Sequence, residues 1–232
     1  MSLLASLAGR WADLRRQVGG SAAASTAGVT APTRWIVLDV ESTGLDPTSD
    51  RLLAIAAVAL RVSGTRPQVD LADSFDAVLR HESPESAGTD KANILVHGIG
   101  VGAMRAGQEP AQVLRRFAEW AGGAPRLGFH VAFDRTMIER AEREHLGRAS
   151  PALWLDLEPL AAVAHPEVKA RALDEWLAHF AIPCLQRHQA IADTLATAEL
   201  LLRLWRRLQQ EAGGEALTPA VLARLAAARR WV

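Results

Sequence analysis

Two acidic residues at the end of an apolar stretch are the first feature of this sequence that could do chemistry. Asp39 and Glu41 close the apolar run 35–38, which has the composition of a strand buried on both faces. Because side chains two positions apart on a strand point to the same side, the two carboxylates would project together. Crowded carboxylates resist ionising, and a hard cation such as Mg²⁺ or Mn²⁺ removes that penalty by binding their oxygens. Taken alone, the pair is better explained as an ordinary strand end with two solvated acids.

Two more acids and a histidine follow in separate motifs. Asp134 comes after a short apolar stretch and falls in the first turn of a helical pattern, where the helix dipole also favours an acid. His188 and Asp193 open a long helical segment that starts at Ala190. On one continuous helix these two side chains would diverge by more than a right angle. We therefore expect His188 just before the helix and Asp193 in its second turn, although two unrelated surface residues would give the same pattern.

Taken in order, the three motifs resemble the histidine-bearing branch of the DEDD superfamily of 3′–5′ exonucleases. The likeness is strongest to the epsilon proofreading subunit of bacterial DNA polymerase III and its stand-alone relatives, and it covers residues 34–207. Three parts in the right order and spacing are specific, whereas any single part is not. Further positions that follow the family are Thr43, Gly44, Leu45, Val96, His97, Gly98, Ile99, Ala190, Thr194, Ala196, Thr197 and Ala198. Two positions depart from it: Val131 stands where the family usually has Asn, and Ser42 stands where Thr is common.

The resemblance implies a metal-dependent active site. Asp39, Glu41, Asp134 and Asp193 would bind two Mg²⁺ or Mn²⁺ ions, which in phosphodiester-cleaving sites lie about 3.5–4 Å apart. His188 would accept the proton of the attacking water, because a neutral imidazole can do so near neutral pH. The expected reaction is hydrolysis of the terminal phosphodiester of single-stranded DNA, with release of a nucleoside 5′-monophosphate.

The resemblance also implies a substrate pocket. Ser42 and Thr43 would meet the terminal 3′-hydroxyl, Leu45 and Phe133 would pack against the last bases, and His97 would line the same cleft. For the last three residues, packing within the protein core is an equally good interpretation.

Two other functions stay open at this point. One is an RNA-trimming 3′–5′ exoribonuclease, since the choice of sugar depends on how the pocket at Ser42 and Thr43 treats a 2′-hydroxyl. The other is a non-catalytic adaptor that keeps the fold, although retention of all four acids and His188 argues against it. Proofreading, repair and nucleotide salvage would all use the same chemistry.

The composition of the 232-residue chain indicates a globular protein. Hydrophobic residues make up 49% and charged residues 22%, and the formal net charge is zero. Bulk electrostatics would therefore not hold long stretches of nucleic acid. The single cysteine, Cys184, excludes an internal disulfide and a cysteine-cluster metal site. Because no apolar run approaches the length of a membrane span and no secretory signal is evident, we expect a cytoplasmic protein that does not enter membranes.

Three segments are predicted along the chain. Residues 1–33 form an amphipathic helix and a flexible linker, residues 34–211 the exonuclease domain, and residues 212–232 a C-terminal helical tail. Either terminal helix could contact a polymerase or another protein partner.

Strands dominate the first part of the predicted domain, and helices alternate with strands in the second. Predicted strands cover 35–39, 51–62, 68–80, 126–129 and 154–157. Predicted helices cover 92–96, 110–120, a segment beginning near Asp134, 172–180, 190–210 and 219–230. Three hairpin-joined strands followed by alternation predict an α/β domain whose mixed five-stranded sheet is flanked by helices. This is the ribonuclease H-like fold that the resemblance implies.

Overall fold

The centre of the molecule is a five-stranded sheet. The structure, a computed structural model, describes residues 33–63, 66–81, 98–184 and 188–228. Its strands are β1 (Thr33–Ser42), β2 (Leu52–Ser63), β3 (Arg66–Val78), β4 (Arg126–Gly128) and β5 (Trp154–Asp156). They lie in the order β3-β2-β1-β4-β5. Strand β2 is antiparallel to β1 and β3, whereas β1, β4 and β5 run parallel, so the predicted mixed sheet is confirmed.

Seven helices accompany the sheet within these ranges. They are α1 (Val101–Ala106), α2 (Pro110–Ala121), α3 (Ala132–Leu146), α4 (Leu157–Ala164), α5 (Leu173–His179), α6 (Ala190–Glu211) and α7 (Pro219–Ala228). Helices α2, α3, α5, α6 and α7 agree with the prediction, whereas α1 and α4 were not predicted. The predicted helix at 92–96 and the N-terminal helix and linker lie outside the described residues. No helix in the described ranges is long and apolar enough to cross a membrane.

Helix α4 was not predicted, because it follows β5 without an intervening loop. Asp156 ends the strand, and its carboxylate accepts a hydrogen bond from the Glu158 backbone N–H, which caps the helix. A short apolar run next to a strand carries no period that separates the two kinds of element. The predicted strands 51–62 and 68–80 left five residues between them, and the observed connection is shorter, because Ser63 and Arg66 still pair across β2 and β3.

One face of β1 packs against α2 and α3. Ile36, Leu38 and Val40 are buried in a cluster that includes Phe117 of α2 and Ile138 of α3. This packing fixes α3, whose first turn carries Asp134, against the strand that carries Asp39.

The other face of β1 turns toward α6. Trp35 packs against Trp205 of α6 with ring centroids 5.7 Å apart. Because side chains alternate along a strand, Asp39 and Glu41 lie on the same side as Trp35. Both acids of β1 therefore lie on the side of the sheet that faces α6.

Strand β2 is alanine-rich, yet it is a strand and almost wholly buried. Alanine has little intrinsic preference for strands, and here pairing on both edges decides the outcome. Ala54 and Ala56 pair directly with Glu41 and Asp39, so they share the face that α6 covers. Small side chains at these positions let α6 approach the sheet closely.

Candidate active site

The carboxyl end of β1 is where the predicted site is built. Asp39 and Glu41 are both half-buried there, on the face toward α6. Regular pairing with β2 shifts register between Glu41 and Ser42, so the strand ends just after the second acid.

Asp134 reaches the same strand end from α3. It lies in the first turn of the helix, as predicted, and is only 4% exposed. Its Oδ1 atom accepts a hydrogen bond of 3.0 Å from the Val40 backbone N–H. Val40 stands between Asp39 and Glu41, so the Asp134 carboxyl is bonded to the backbone of β1 between the two strand acids. Parallel pairing of β1 and β4 explains why Asp134 reaches the end of β1. Both strands end at the same edge of the sheet, and α3 begins shortly after β4 ends.

Burial has a large effect on Asp134. It raises the pKa of this carboxyl to about 8, and the charge of Asp156 adds to the increase. Near neutral pH, the protein without a cation therefore keeps Asp134 largely protonated. A nearby cation would favour the ionised form, and an all-carboxylate set of oxygen donors suits a hard ion such as Mg²⁺ or Mn²⁺. The residues present thus fit the metals that the sequence implies.

The turn before α3 depends on a close approach and on one unusual backbone conformation. A Cβ on Gly128 would lie 2.9 Å from a methyl of Val131 and 3.2 Å from the Leu38 carbonyl oxygen, so this position needs glycine. His130 has a left-handed backbone, with φ of 56°, and its N–H donates a hydrogen bond of 3.0 Å to Asp156. Val131 is right-handed and buried. Since Asn tolerates a left-handed backbone far better than a branched residue does, the position suited to the family's Asn is His130 rather than Val131.

Asp193 and His188 form the other half of the site. Asp193 is 5% exposed and lies in the first turn of α6, one turn earlier than predicted. Its Oδ2 atom accepts a hydrogen bond of 2.9 Å from the His188 backbone N–H, and its Oδ1 atom lies 3.6 Å from the Cys184 thiol, which donates to it. His188 precedes the helix, as predicted, and is exposed with a left-handed φ of 60°. The link between the two residues therefore runs through the backbone of His188 and leaves its imidazole ring at the surface.

Thr194 ties α6 to the strands that carry the other acids. Its side chain is buried, and its hydroxyl donates a hydrogen bond of 3.1 Å to the Ala56 carbonyl oxygen. Ala56 is the direct partner of Asp39 in the β1–β2 pair. Asp193, the neighbour of Thr194, is thereby held on the side of the sheet that Asp39 and Glu41 face.

The four acids share one end of the sheet without forming a closed ligand set. Across the part of the chain that the structure describes, no three His, Cys, Asp or Glu side chains are grouped closely enough to hold a metal ion. Asp134 and Asp193 instead accept hydrogen bonds from the Val40 and His188 backbones. The two-metal site thus stays a prediction, and because each carboxylate keeps further lone pairs beside these bonds, a cation could bind without displacing them.

The predicted substrate residues have different surroundings. The Ser42 hydroxyl donates a hydrogen bond of 2.6 Å to the Gly44 carbonyl oxygen. Leu45 is 90% exposed, so it is not a core residue, whereas Phe133 is partly buried against the core cluster. His97 lies outside the described residues.

Thr43 is directed into the protein. It is buried, and its hydroxyl donates to Asp50 Oδ1 at 2.8 Å and accepts from the Arg51 backbone N–H at 2.9 Å. Through these bonds, the Thr43 side chain joins the start of the loop after β1 to its end. The predicted contact of Thr43 with a 3′-hydroxyl stays a prediction. Asp50, Asp156 and the anchoring bond of Thr194 were missed by sequence reasoning, because nothing local marks a residue that bonds across a loop or between elements.

A family model and several curated proteins match most of this chain. The model of the RNase T exonuclease family matches residues 36–201. A DNA polymerase III subunit epsilon-like protein of Rhodobacter capsulatus is 35% identical over 196 residues, which is 83% of this chain and 26% of the relative. A PolC-type DNA polymerase III of Latilactobacillus sakei is 30% identical over 181 residues, 76% of this chain and 12% of the relative. The chain therefore spans about a quarter or less of the length of these curated relatives.

Solved structures share the fold. Exonuclease I of E. coli, in a complex with a dT13 oligonucleotide, superposes with a TM-score of 0.63 at 18% identity, covering 78% of this chain and 43% of that one. The cell-death related nuclease 4 (CRN-4) superposes with a TM-score of 0.60 at 15% identity, covering 74% and 63% of the two chains. At these identities the similarity concerns the fold alone, and it confirms the predicted architecture of a mixed sheet flanked by helices.

Proposed function

Because the chain belongs to the exonuclease family whose model spans residues 36–201, we propose that it is a metal-dependent 3′–5′ exonuclease acting on single-stranded DNA. Its products would be nucleoside 5′-monophosphates. The observation that carries the proposal is the bond between Asp134 and Val40, which joins Asp134 to the backbone of β1 between Asp39 and Glu41. Asp193 lies in the first turn of α6, the helix whose Trp205 packs against Trp35 of β1.

Asp39, Glu41, Asp134 and Asp193 would hold two Mg²⁺ or Mn²⁺ ions. When bound, such ions stabilise the attacking and leaving oxygens of a phosphodiester. The buried carboxyl of Asp134 supports this assignment, because its pKa of about 8 leaves it poorly ionised until a positive charge is near.

His188 would accept the proton of the attacking water at an imidazole nitrogen. Its exposed ring can pass that proton on to solvent, while its backbone bond to Asp193 keeps it beside the acids. Removal of this proton generates the nucleophile that displaces the 3′-oxygen of the penultimate nucleotide.

The loop after β1 and the first turn of α3 would bind the end of the strand. The region of Ser42 and Thr43 would meet the terminal 3′-hydroxyl, and Leu45 and Phe133 would contact the last bases. His97 would line the same cleft. Contacts of this apolar kind tolerate any base, so we expect little sequence preference.

Single-stranded DNA is the preferred substrate in this proposal because E. coli exonuclease I was solved with a dT13 oligonucleotide. The names of the curated relatives place them in DNA polymerase III, so we propose a role in proofreading or repair in the cytoplasm. A polymerase or another protein partner would be contacted through the terminal segments 1–33 and 212–232.

The test is digestion of a 5′-labelled single strand of DNA with Mg²⁺ or Mn²⁺, beside a matched RNA strand. We expect a ladder that shortens from the 3′ end, release of 5′-mononucleotides, and loss of both on adding EDTA or on the substitution Asp39→Ala. Degradation of the RNA alone would favour an exoribonuclease. If neither strand is shortened and calorimetry detects no Mn²⁺ binding, the proposal is wrong and a non-catalytic adaptor is the better description.

A further inference from the structure

The loop between β1 and β2 presents one large apolar side chain to solvent. Leu45 is 90% exposed near the start of this loop, which covers residues 43–51 and which we call the Leu45 loop. An exposed leucine forgoes roughly 1.5–3 kcal/mol of burial free energy, so its position calls for a reason beyond folding. The neighbours of Leu45 are, by contrast, extensively hydrogen-bonded.

Asp50 joins the start of the Leu45 loop to its middle. Its Oδ1 atom accepts from the Thr43 hydroxyl and its Oδ2 atom accepts from the Asp46 backbone N–H, both at 2.8 Å. A Cβ on Gly44 would lie 2.5 Å from Oδ2 of Asp50, so only glycine leaves room for this carboxylate. Asp50 therefore fixes the backbone on both sides of Leu45.

Asp46 orders the second half of the loop. Its Oδ1 atom accepts from the backbone N–H and the hydroxyl of Thr48, at 2.9 and 2.6 Å, and its Oδ2 atom accepts from the Ser49 hydroxyl at 2.8 Å. Hydrogen bonds from Thr48 and then Ser49 lower the pKa of Asp46 to about 2, so it is ionised at any pH where the enzyme would work. A loop bonded to itself in this way has few conformations to lose on binding.

Arg140 connects the loop to the helix that carries Asp134. Its Nη1 atom donates a hydrogen bond of 2.7 Å to the Pro47 carbonyl oxygen. Arg140 lies on α3, six positions after Asp134. Through this bond the tip of the loop and one of the catalytic acids are held by the same rigid element.

We propose that Asp50 and Arg140 are positioning residues that hold Leu45 at a fixed place beside the bases next to the scissile bond. This role rests on the proposed exonuclease function and explains how the Leu45 side chain would be held in position for it. A preformed loop avoids the entropy of ordering a flexible one when the strand binds. Neither Asp50 nor Arg140 touches the reacting atoms in this scheme, since both act through Leu45.

A double-mutant cycle tests whether Arg140 acts through Leu45. We expect Arg140→Met to lower kcat/KM on a single-stranded oligonucleotide by about tenfold, because small misplacements of a substrate-positioning group are costly. In a Leu45→Ala background the same change should add less than about twofold, since the group that it positions is already gone. Arg143→Met is the matched control, because Arg143 lies on the same helix, is largely exposed and forms an ion pair with Glu139, away from the Leu45 loop. An equal loss from Arg140→Met in both backgrounds, or no loss in either, would overturn the inference.

A second substrate separates this inference from the proposed function. The p-nitrophenyl ester of thymidine 5′-monophosphate keeps the terminal base but has no penultimate base for Leu45 to align with it. Arg140→Met should therefore hydrolyse this substrate within about twofold of the unmodified rate. If the unmodified protein hydrolyses neither substrate, the proposed function fails. If it hydrolyses both and Arg140→Met impairs both alike, only the positioning role fails.

A second variant distinguishes a loss of positioning from a folding defect. Asp50→Asn keeps one acceptor oxygen but turns a donor toward the Asp46 N–H, and it should give the same non-additive pattern with Leu45→Ala. Faster hydrogen exchange at the Thr48 amide in both variants, with an unchanged melting temperature, would complete the expected result. Unchanged exchange there would contradict the inference, because the loop would then be ordered without these bonds.

Discussion

The two halves of the candidate site are held in different ways. Asp134 is enclosed where α3, β1 and β4 meet, and its carboxyl is bonded to a strand in the middle of the sheet. His188 is exposed, has a left-handed backbone and is anchored by one bond to Asp193. Asp134 is thus placed by the core of the protein, whereas His188, the proposed proton acceptor, is placed by a local hydrogen bond. Changes at Asp134 should alter ionisation and stability together, and changes to the His188 ring should alter catalysis alone.

The largest effect is expected from Asp134→Asn. This change replaces an anionic carboxylate of the proposed metal site with a neutral amide. Loss of a residue that merely supports a metal ligand costs roughly 10–100-fold in activity, so kcat should fall by more than that. The measurement is steady-state hydrolysis of a labelled oligonucleotide. Glu139→Gln on the same helix should retain activity, because Glu139 forms ion pairs with the exposed Arg135 and Arg143 and is not among the proposed metal ligands. Comparable activity in Asp134→Asn would remove Asp134 from the proposed site.

His188→Ala should reduce kcat by about 10²–10⁴-fold, the usual contribution of a positioned general base. KM should change little, and the melting temperature should stay within about a degree, because the ring is exposed. Single-turnover kinetics and thermal denaturation check the two parts. A large fall in stability would contradict the local anchoring of this half.

The free energy of unfolding should depend on pH in a way that reveals Asp134. Its pKa is raised from 3.8 to about 8 in the folded protein, so the folded state holds a proton that the unfolded state releases. Stability is therefore expected to fall as pH rises from about 4 to about 8, by an amount on the order of a few kcal/mol in the absence of divalent ions. Asp76 contributes below pH 6, because burial raises its pKa to about 6. Burial lowers the pKa of His81 from its ordinary value of 6.5, which acts in the opposite direction near and below that pH, so the comparison with Asp134→Asn is what isolates Asp134 between pH 6 and 8.

Urea denaturation in EDTA at pH 6 and pH 8 measures this effect. The unmodified protein should lose stability between the two values, and Asp134→Asn should lose much less. Adding Mn²⁺ should restore stability at pH 8 in the unmodified protein only. An identical pH dependence in both proteins would show that Asp134 is ionised without help from a cation.

The smallest effect is expected from Thr194→Val, which keeps the shape of the side chain and removes its hydroxyl. Loss of the buried bond to Ala56 should cost about 1–2 kcal/mol of stability. Because this bond aligns α6 with the sheet, activity should fall a few-fold as well. Chemical denaturation and the oligonucleotide assay measure both, with Thr136→Val as an exposed control on α3. Unchanged stability would mean that packing alone positions α6.

Local periodicity was enough to predict much of this site. Asp39 and Glu41 share a face because strands alternate, and Asp134 begins a helix because its apolar neighbours recur at helical spacing. The family resemblance and the five-stranded architecture are both confirmed. The sequence also indicated that His188 precedes its helix, since the two side chains would otherwise diverge.

Features that depend on distant partners could not be predicted in this way. Asp156 supports the turn at His130 only because β5 ends beside β4, and Thr194 reaches Ala56 across 138 positions of sequence. Thr43 resembled a substrate contact, yet its hydroxyl bonds with Asp50 and Arg51 inside the loop. In each case the partner is selected by tertiary packing, which no local pattern records.

The two oxygens of Asp193 already have partners in the His188 backbone and the Cys184 thiol. An ionised carboxylate has further lone pairs, so a cation could bind Asp193 while the His188 N–H stays in place. The proposed metal ligand and the anchor of the histidine would then be one side chain. Loss of Asp193 would therefore remove a ligand and release the histidine segment at once.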